Sequence, residues 1–366
     1  MGIPEINDEA NPLIKVLVVE DSPVVREFLV HVLGSDPDIL VVATANDGEE
    51  AVVAAGRWQP DVITMDIHMP KLDGIEATRQ IMETHPVPIV IVSGSTDPHE
   101  VATSFRATEA GALAVLRRPA GLGHPDHEAT VTDLVRTVKL MSEVKVVRRW
   151  PRGERAAATR LLQAPDLGRA QDKVKAVAIG ASTGGPPVLQ RILAALPKDF
   201  PVPILIVQHM AAGFIHGFVE WLAQSSSLPI HIATHAETLL PGHVYVAPDD
   251  FQMKLGQGDR IVLARDPPEN GLRPAVSALF RSLAEVHGGE AVACLLTGMG
   301  RDGAEELKLL RSKGATTFAQ DKESSVVHGM PGEAIRLDAA SFVLPPEKIA
   351  AALISLVNAA KREFTP

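Results

Sequence analysis

Cysteine and aromatic residues are scarce in this chain, and each scarcity excludes a class of protein. The one cysteine, Cys294, cannot form an internal disulfide, so the fold does not depend on cross-links. Aromatic residues make up 4% of the chain, and aliphatic side chains supply most of the apolar content, which suits buried parallel strands better than an all-β sandwich. Because Cys294 lies in the apolar run 291–296, we expect a buried thiol and not a nucleophile.

Long apolar runs and an excess of positive charge are also missing. No stretch approaches the roughly 20 apolar residues of a membrane span, and the first twelve residues carry acids instead of an apolar block. The 35 basic and 45 acidic residues give a net charge of −10, which argues against phosphate-backbone binding as the main activity. We therefore expect a cytoplasmic protein with no nucleic-acid partner and no direct membrane insertion.

Two long segments alternate aliphatic runs with amphipathic helical patterns. In the first, strands are expected at 14–19, 40–45, 62–65, 88–92 and 114–116. In the second, strands are expected at 176–179, 204–207, 230–233, 244–247, 291–296 and 316–319, helices at 186–196, 214–224, 274–287 and 303–313, and a hairpin at 251–263. Strands that alternate with helices predict two doubly wound, mostly parallel, three-layer α/β domains, the second with an antiparallel addition.

The segment between these two patterns has a different composition. Residues 144–173 contain eight basic and three acidic residues, and Pro151 and Pro165 interrupt any long helix. Trp150 is its one aromatic residue, so a solvated linker is favoured over a nucleic-acid patch. The predicted domains are 13–143 and 174–366, joined by the basic linker 144–173.

Acidic side chains follow two strands of the first domain. Glu20 and Asp21 come directly after the first strand, and Asp66 follows the third. The carboxyl ends of parallel strands share one crevice, so these carboxylates should converge there. Oxygen-only ligation suits Mg²⁺, and Ser93 and Arg118 after the next strands would add a hydroxyl and a positive charge. Such a crevice is suited to accepting a phosphoryl group on a carboxylate.

This first domain resembles the receiver domain of two-component response regulators, which has a flavodoxin-like (βα)5 fold. The matching pieces are Val18-Val19-Glu20-Asp21-Ser22, Asp66-Ile67-His68-Met69-Pro70 with Asp73-Gly74, Ser93, and Arg118-Pro119. The resemblance implies that Asp66 is the phosphoacceptor and that Glu20, Asp21, Asp66 and the His68 backbone carbonyl hold Mg²⁺, with Ser93 and Arg118 supporting the phosphoryl group. Two positions depart from the family pattern, since Arg118 replaces its lysine and Val115 its aromatic switch residue.

A glycine-rich turn opens the second domain. Gly180-Ala181-Ser182-Thr183-Gly184-Gly185 lies between a strand and a helix, so it can project the Ser182 hydroxyl while free N–H groups at the helix start face an oxyanion. A dinucleotide-binding loop would need glycine in place of Ser182. From this hexapeptide alone, an ordinary tight turn is as well supported as a nucleophile.

Two further strand ends favour the nucleophile. His209 follows the strand that ends at Val207, and Asp302 lies in the Gly298-Met299-Gly300-Arg301-Asp302-Gly303 segment that follows another strand. Serine, histidine and aspartate at three strand ends could meet in one crevice as a catalytic triad. Their chain order differs from that of the α/β-hydrolases, so the turn does not imply that fold.

The second domain looks like the catalytic domain of the CheB family of chemotaxis protein-glutamate methylesterases. The resemblance extends through the segments Leu240 to Pro248, Leu272-Arg273-Pro274, Ala319-Gln320-Asp321 and Gly329-Met330-Pro331. It implies hydrolysis of glutamate methyl esters on the cytoplasmic helices of chemoreceptors, often with deamidation of receptor glutamines, and a chemotaxis histidine kinase as phosphodonor.

Within that resemblance, Ser182, His209 and Asp302 are the catalytic residues, and the esterase needs no cofactor. The N–H groups of Thr183, Gly185 and Met299 are the candidates for an oxyanion hole. One alternative stays open, a response regulator whose second domain has lost catalysis and acts by binding partners. A DNA-binding regulator is disfavoured by the net charge and by the lack of a short helix-turn-helix output domain.

Overall fold

A computed structural model describes residues 13–146 and 174–362 of the chain, with side chains up to residue 358. Most of the predicted linker, from residue 147 to 173, lies outside the described residues. Those described divide into two compact units, residues 13–94 with 110–146, and residues 95–109 with 174–362. Within the described ranges, no helix is long and apolar enough to cross a membrane.

The first unit contains a five-stranded, fully parallel sheet. Its strands are β1 (Ile14–Val19), β2 (Ile39–Ala45), β3 (Val62–Met65), β4 (Ile89–Ser93) and β5 (Ala114–Arg117). Their spatial order is β2-β1-β3-β4-β5, so the strand order reverses beside β1 and opens a crevice at the carboxyl ends of β1 and β3. The helices are α1 (Pro23–Gly34), α2 (Gly48–Trp58), α3 (Gly74–Thr84) and α5 (His127–Ser142).

Two helices of this unit begin where an aspartate caps them. Asp47 accepts a hydrogen bond from the N–H of Glu50 at the start of α2, and Asp73 accepts one from the N–H of Glu76 at the start of α3. Each cap satisfies an N–H that the helix itself cannot, a contribution of about 1 kcal/mol. The predicted doubly wound sheet is confirmed here, with strand ends within one residue of those expected.

The second unit is built on a seven-stranded sheet, also fully parallel. Its strands are β6 (Ala176–Ala181), β7 (Ile204–Gln208), β8 (Ile230–Ile232), β9 (Val244–Val246), β12 (Ala291–Leu295), β13 (Thr316–Gln320) and β14 (Phe342–Leu344), in the order β14-β13-β12-β6-β7-β9-β8. The expected hairpin is present as β10 (Gln252–Gly256) and β11 (Arg260–Ala264), which pair antiparallel as a separate two-stranded sheet. The predicted α/β fold with an antiparallel addition is therefore confirmed.

The helices of this unit are α4 (Pro98–Ala110), α6 (Gly185–Ala195), α7 (Ile215–Ala223), α8 (Val276–Val286), α9 (Ala304–Ser312), α10 (Met330–Arg336) and α11 (Pro346–Arg362). The four helices predicted for this domain are present as α6, α7, α8 and α9. Strand β14 and helices α10 and α11 are additions to the predicted elements. Helix α4 belongs almost entirely to this unit, because the ring of Phe105 packs against Phe214, Phe218 and Trp221.

The core of the second unit is aliphatic and includes the lone cysteine. Cys294 is on β12, in the middle of the sheet, and is fully buried. Burial raises the pKa of its thiol, which keeps the side chain neutral and unreactive. The expectation of a buried thiol is confirmed.

Candidate functional site

The three acidic residues of the first unit lie together at the carboxyl edge of its sheet. Val19 and Met65, the last residues of β1 and β3, are directly paired, so the residues that follow each strand are neighbours. Carboxylate oxygens of Glu20, Asp21 and Asp66 lie within 4.8 Å of one another. The crevice predicted from the strand ends therefore has the donor set of a hard divalent cation, in oxygen atoms alone.

Burial and neighbouring negative charge raise the pKa of two carboxyl groups in this crevice. Burial, followed by the charge of Asp66, raises the pKa of Glu20 to about 7. The pKa of Asp66 is also raised, first by burial and then by the charge of Asp21. Two neighbouring carboxyl groups with raised pKa values favour a bound cation, because a cation would stabilise their charged forms.

Arg118 brings positive charge to this crevice, and its charge lowers the pKa of both Glu20 and Asp66. Its guanidinium lies against Gly94, where an added Cβ would stand 2.2 Å from Nη2. Ser93, just before this glycine, ends β4 and is buried, and its carbonyl accepts the Arg118 N–H at 2.7 Å. Predicted residues Ser93 and Arg118 are thus adjacent at the crevice, while Val115 lies within β5, half-buried.

Ser182, His209 and Asp302 are brought to one edge of the second sheet. Strand β6 is flanked by β12 and β7, with Gly180 paired to Leu295 and Ala181 to Gln208. The three side chains follow these neighbouring strands, as the sequence predicted. Ser182 and His209 are half-buried, and Asp302 is 3% exposed.

The histidine and the aspartate are joined by a hydrogen bond. His209 Nε2 lies 2.9 Å from Asp302 Oδ2. With Nε2 facing the carboxylate as a donor, Nδ1 is the ring nitrogen that can act as a base.

Asp302 is held at the start of helix α8. The N–H groups of Val276 and Ser277 donate to its two carboxylate oxygens, at 2.6 and 3.1 Å. Burial by itself would raise the pKa of Asp302, but the hydrogen bonds from His209, Ser277 and Val276 outweigh it and lower the pKa. The carboxylate therefore stays charged beside His209, at the positive end of a helix dipole.

The turn that carries Ser182 is fixed by two hydrogen bonds to Thr297. Ser182 N–H donates to the carbonyl of Thr297 at 3.0 Å, and the Thr297 hydroxyl donates to the carbonyl of Thr183 at 2.9 Å. Thr297 is fully buried and was missed by sequence reasoning. Its position directly before Gly298, at the end of a buried strand, was the available signal.

One of the three oxyanion candidates already has a hydrogen-bond partner. The N–H of Gly185 donates to the carbonyl of Ser182 at 2.8 Å, so it closes the turn. Neither Thr183 nor Met299 donates its N–H to any group among the described residues. Met299 is 37% exposed at this edge of the sheet. These two N–H groups remain the candidates.

Comparison with known proteins assigns a family model to each of the two sites. Residues 177–353 match the family model described as CheB methylesterase, and residues 16–124 match the response regulator receiver domain. A protein-glutamate methylesterase/protein-glutamine glutaminase of Nitrosospira multiformis is 67% identical over 346 residues, which cover 94% of this chain and 97% of that protein. Another, from Geobacter metallireducens, is 59% identical over 345 residues and covers 94% of this chain and 99% of its own length.

Among solved structures, the CheB methylesterase catalytic domain of Thermotoga maritima is 41% identical, with a TM-score of 0.49, and covers 50% of this chain and 100% of that chain. The relatives match nearly end to end, through both domains and in the same order. This chain belongs to the CheB methylesterase family, as a member that carries a response regulator receiver domain.

Proposed function

We propose that this protein is a phosphorylation-regulated serine esterase that hydrolyses glutamate methyl esters on chemoreceptors and releases methanol. The observation that carries the proposal is the bond between His209 Nε2 and Asp302 Oδ2, 2.9 Å, at the sheet edge that also carries Ser182. The names of the relatives from Nitrosospira and Geobacter support the same substrate.

The mechanism follows from the roles of the three side chains. Ser182 Oγ attacks the ester carbonyl while His209 Nδ1 takes its proton, and Asp302 stabilises the imidazolium that forms. The bond between the carbonyl carbon and the methoxy oxygen then breaks, the same proton passes to that oxygen, and methanol leaves while the glutamyl group remains on Ser182 as an ester. Water attacks this ester with His209 again as base, which restores the hydroxyl of Ser182 and frees the glutamate carboxylate.

The oxyanion of each tetrahedral intermediate would be stabilised by the N–H groups of Thr183 and Met299. A receptor glutamine can enter the same sequence, with ammonia in place of methanol as the leaving group, and the names of the relatives include this glutaminase activity. Arg301, exposed beside Asp302, would reduce the repulsion between an acidic enzyme and a glutamate-rich helix.

The receiver crevice would control this activity. Asp66 is the proposed phosphoacceptor, Glu20, Asp21, Asp66 and the His68 carbonyl would hold Mg²⁺, and Ser93 and Arg118 would contact the phosphoryl group. When bound, the cation neutralises the carboxylates and the incoming phosphoryl oxygens. The carboxylate oxygens of Glu20, Asp21 and Asp66 lie within 4.8 Å of one another, which supports this role because ligation by oxygen alone suits Mg²⁺.

We also propose the substrate, the phosphodonor and the location of the enzyme in the cell. The substrate is the methylated cytoplasmic helices of chemoreceptors, the phosphodonor is a chemotaxis histidine kinase, and both put the protein in the cytoplasm. The receiver would span residues 13–143 and the esterase 174–366, joined by the linker 144–173. The competing reading is a regulator that only binds partners and performs no catalysis.

Methanol release distinguishes the esterase hypothesis from the hypothesis of a regulator that only binds partners. The full chain would be incubated with methylated receptor, Mg²⁺ and a small phosphodonor, beside a Ser182→Ala variant as the matched control. Release by the parent chain and its loss in Ser182→Ala are expected. Equal release by both chains would contradict the assignment of Ser182, and no release by either would favour the binding-only reading.

A further inference from the structure

Gln208 is a buried side chain between the serine and the histidine. It is the last residue of β7, pairs with Ala181 of β6, and is 4% exposed. Its Nε2 lies 2.9 Å from the carbonyl oxygen of Ser182 and 2.7 Å from that of His209. Both acceptors are carbonyl oxygens, so the orientation of the amide is fixed by its partners.

The amide oxygen of Gln208 makes no comparable contact. Oε1 is buried and makes no hydrogen bond within the described part of the chain. It stands against Gly185, where an added Cβ would lie 2.2 Å away. A buried acceptor without a partner is unfavourable, and a methionine would fill the same volume without that cost. The residue is therefore useful for its two donor hydrogens.

We propose that Gln208 is a positioning residue for the esterase reaction, which fixes the backbone of Ser182 relative to that of His209 through one amide. This inference rests on the proposed function of the triad. The second tie between the two segments, from His209 N–H to the carbonyl of Ala181 at 3.0 Å, holds the histidine but does not reach the serine. Gln208 alone among these groups contacts both residues.

Two replacements of Gln208 separate a positioning role from simple space-filling. Gln208→Met keeps the volume and removes both donors, and misplacement of reacting groups by about 1 Å costs roughly 10²-fold in rate. We expect kcat to fall by about that factor, with KM within about twofold of the parent value. Gln208→Glu is closer in shape but brings a carboxylate against two carbonyl oxygens, so its kcat should fall further than that of the Met variant. A space-filling role predicts the reverse order.

Thr317→Val serves as the control for lost stability. Thr317 is fully buried on β13, and its hydroxyl donates to the carbonyl of Ala339 at 2.7 Å. The substitution removes a buried hydroxyl at another place in the sheet, so it should lower the thermal midpoint while kcat stays within about twofold of the parent value.

The measurements use the full chain with Mg²⁺ and a small phosphodonor. They are kcat and KM for methanol release, and the rate at which a small fluorophosphonate labels Ser182. The labelling rate should fall in parallel with kcat, because it depends on the alignment of serine and histidine and not on receptor docking. If Gln208→Met does not fold, Gln208→Glu is measured in its place, and unchanged kcat and labelling in that variant would overturn the role of Gln208.

The outcomes separate this inference from the proposal on which it rests. Unchanged kcat and labelling in Gln208→Met, beside an inactive Ser182→Ala, would overturn the role of Gln208 alone. A loss in Gln208→Met no larger than that in Thr317→Val, or a Glu variant faster than the Met variant, would overturn it as well. Activity that survives in Ser182→Ala would instead overturn the proposed function.

Discussion

The two crevices stand at the same edge of similar parallel sheets, yet their carboxylates are in opposite electrostatic states. In the receiver, burial and neighbouring negative charge raise the pKa of Glu20 to about 7. In the esterase, burial is outweighed by three hydrogen bonds, so the pKa of Asp302 is lowered. The chain itself therefore stabilises the charged form of the esterase carboxylate, whereas burial and neighbouring charge disfavour the charged form of the receiver carboxylate. The following experiments test that contrast.

The largest effect is expected from substitutions in the esterase crevice. Ser182→Ala, His209→Ala and Asp302→Ala should each lower kcat by about 10⁴-fold or more, and the triple variant should be little slower than the worst single one, because the three groups act as a unit. Steady-state methanol release from methylated receptor measures this. Losses that multiply in the triple variant would show that the residues do not form one site.

The next effect is a loss of phosphorylation without loss of basal catalysis. Asp66→Asn removes the acceptor oxygen and should abolish labelling by a small phosphodonor in the presence of Mg²⁺, while unstimulated ester hydrolysis stays at the parent level. Asp73→Asn, which keeps a cap at the start of α3, is the matched control and should label normally. Labelling that persists in Asp66→Asn would refute the assignment.

The raised pKa of Glu20 predicts a pH-dependent penalty on stability. The folded state holds this proton more tightly than the unfolded state, so stability is lost as pH rises from about 4.5 through about 7. Without divalent cation at pH 8, Glu20→Gln should stabilise the receiver by about 2 kcal/mol. Calorimetry of the full chain would follow the transition that Mg²⁺ shifts in the parent protein. No stabilisation at pH 8, or an equal gain at pH 4, would contradict this account.

The smallest effect concerns Arg118. Arg118→Lys keeps the charge that lowers the pKa of Glu20 and Asp66 but loses the planar guanidinium that lies against Gly94. We expect the rate of labelling to change by less than about tenfold, and Arg118→Ala to lower it more. Equal rates in the Lys and Ala variants would mean that the charge has no part in the reaction.

Sequence patterns predicted the strands of both sheets because aliphatic runs reflect burial on two faces. They missed β14, whose three residues Phe342–Leu344 form the edge of the sheet and are only partly buried. They also predicted which residues follow each strand, and therefore the members of both crevices. Hydrogen-bond partners could not be predicted, because Gln208 and Thr297 donate to carbonyl groups of the Ser182 turn, which is distant from both in the sequence.

Helix α8 illustrates the same limit. A helix start is predicted from a capping side chain directly before it, but Ala275 stands at that position and cannot cap. Asp302, 26 residues along the chain, supplies the acceptor for the N–H of Val276. The sequence predicted the helix at 274–287 and placed Asp302 after a strand, but it did not predict the hydrogen bond between them.

The anchoring of Asp302 also determines which side chains can occupy that position. Among the described residues, every group that hydrogen-bonds to the carboxylate is a donor, with Val276 N–H and His209 Nε2 on Oδ2 and Ser277 N–H on Oδ1. An asparagine would have to turn its amide hydrogens toward donors in either orientation. Exchanging one oxygen for an NH₂ group, a change of almost no volume, is thus more disruptive here than shape alone would suggest, and the position requires lone pairs on both sides.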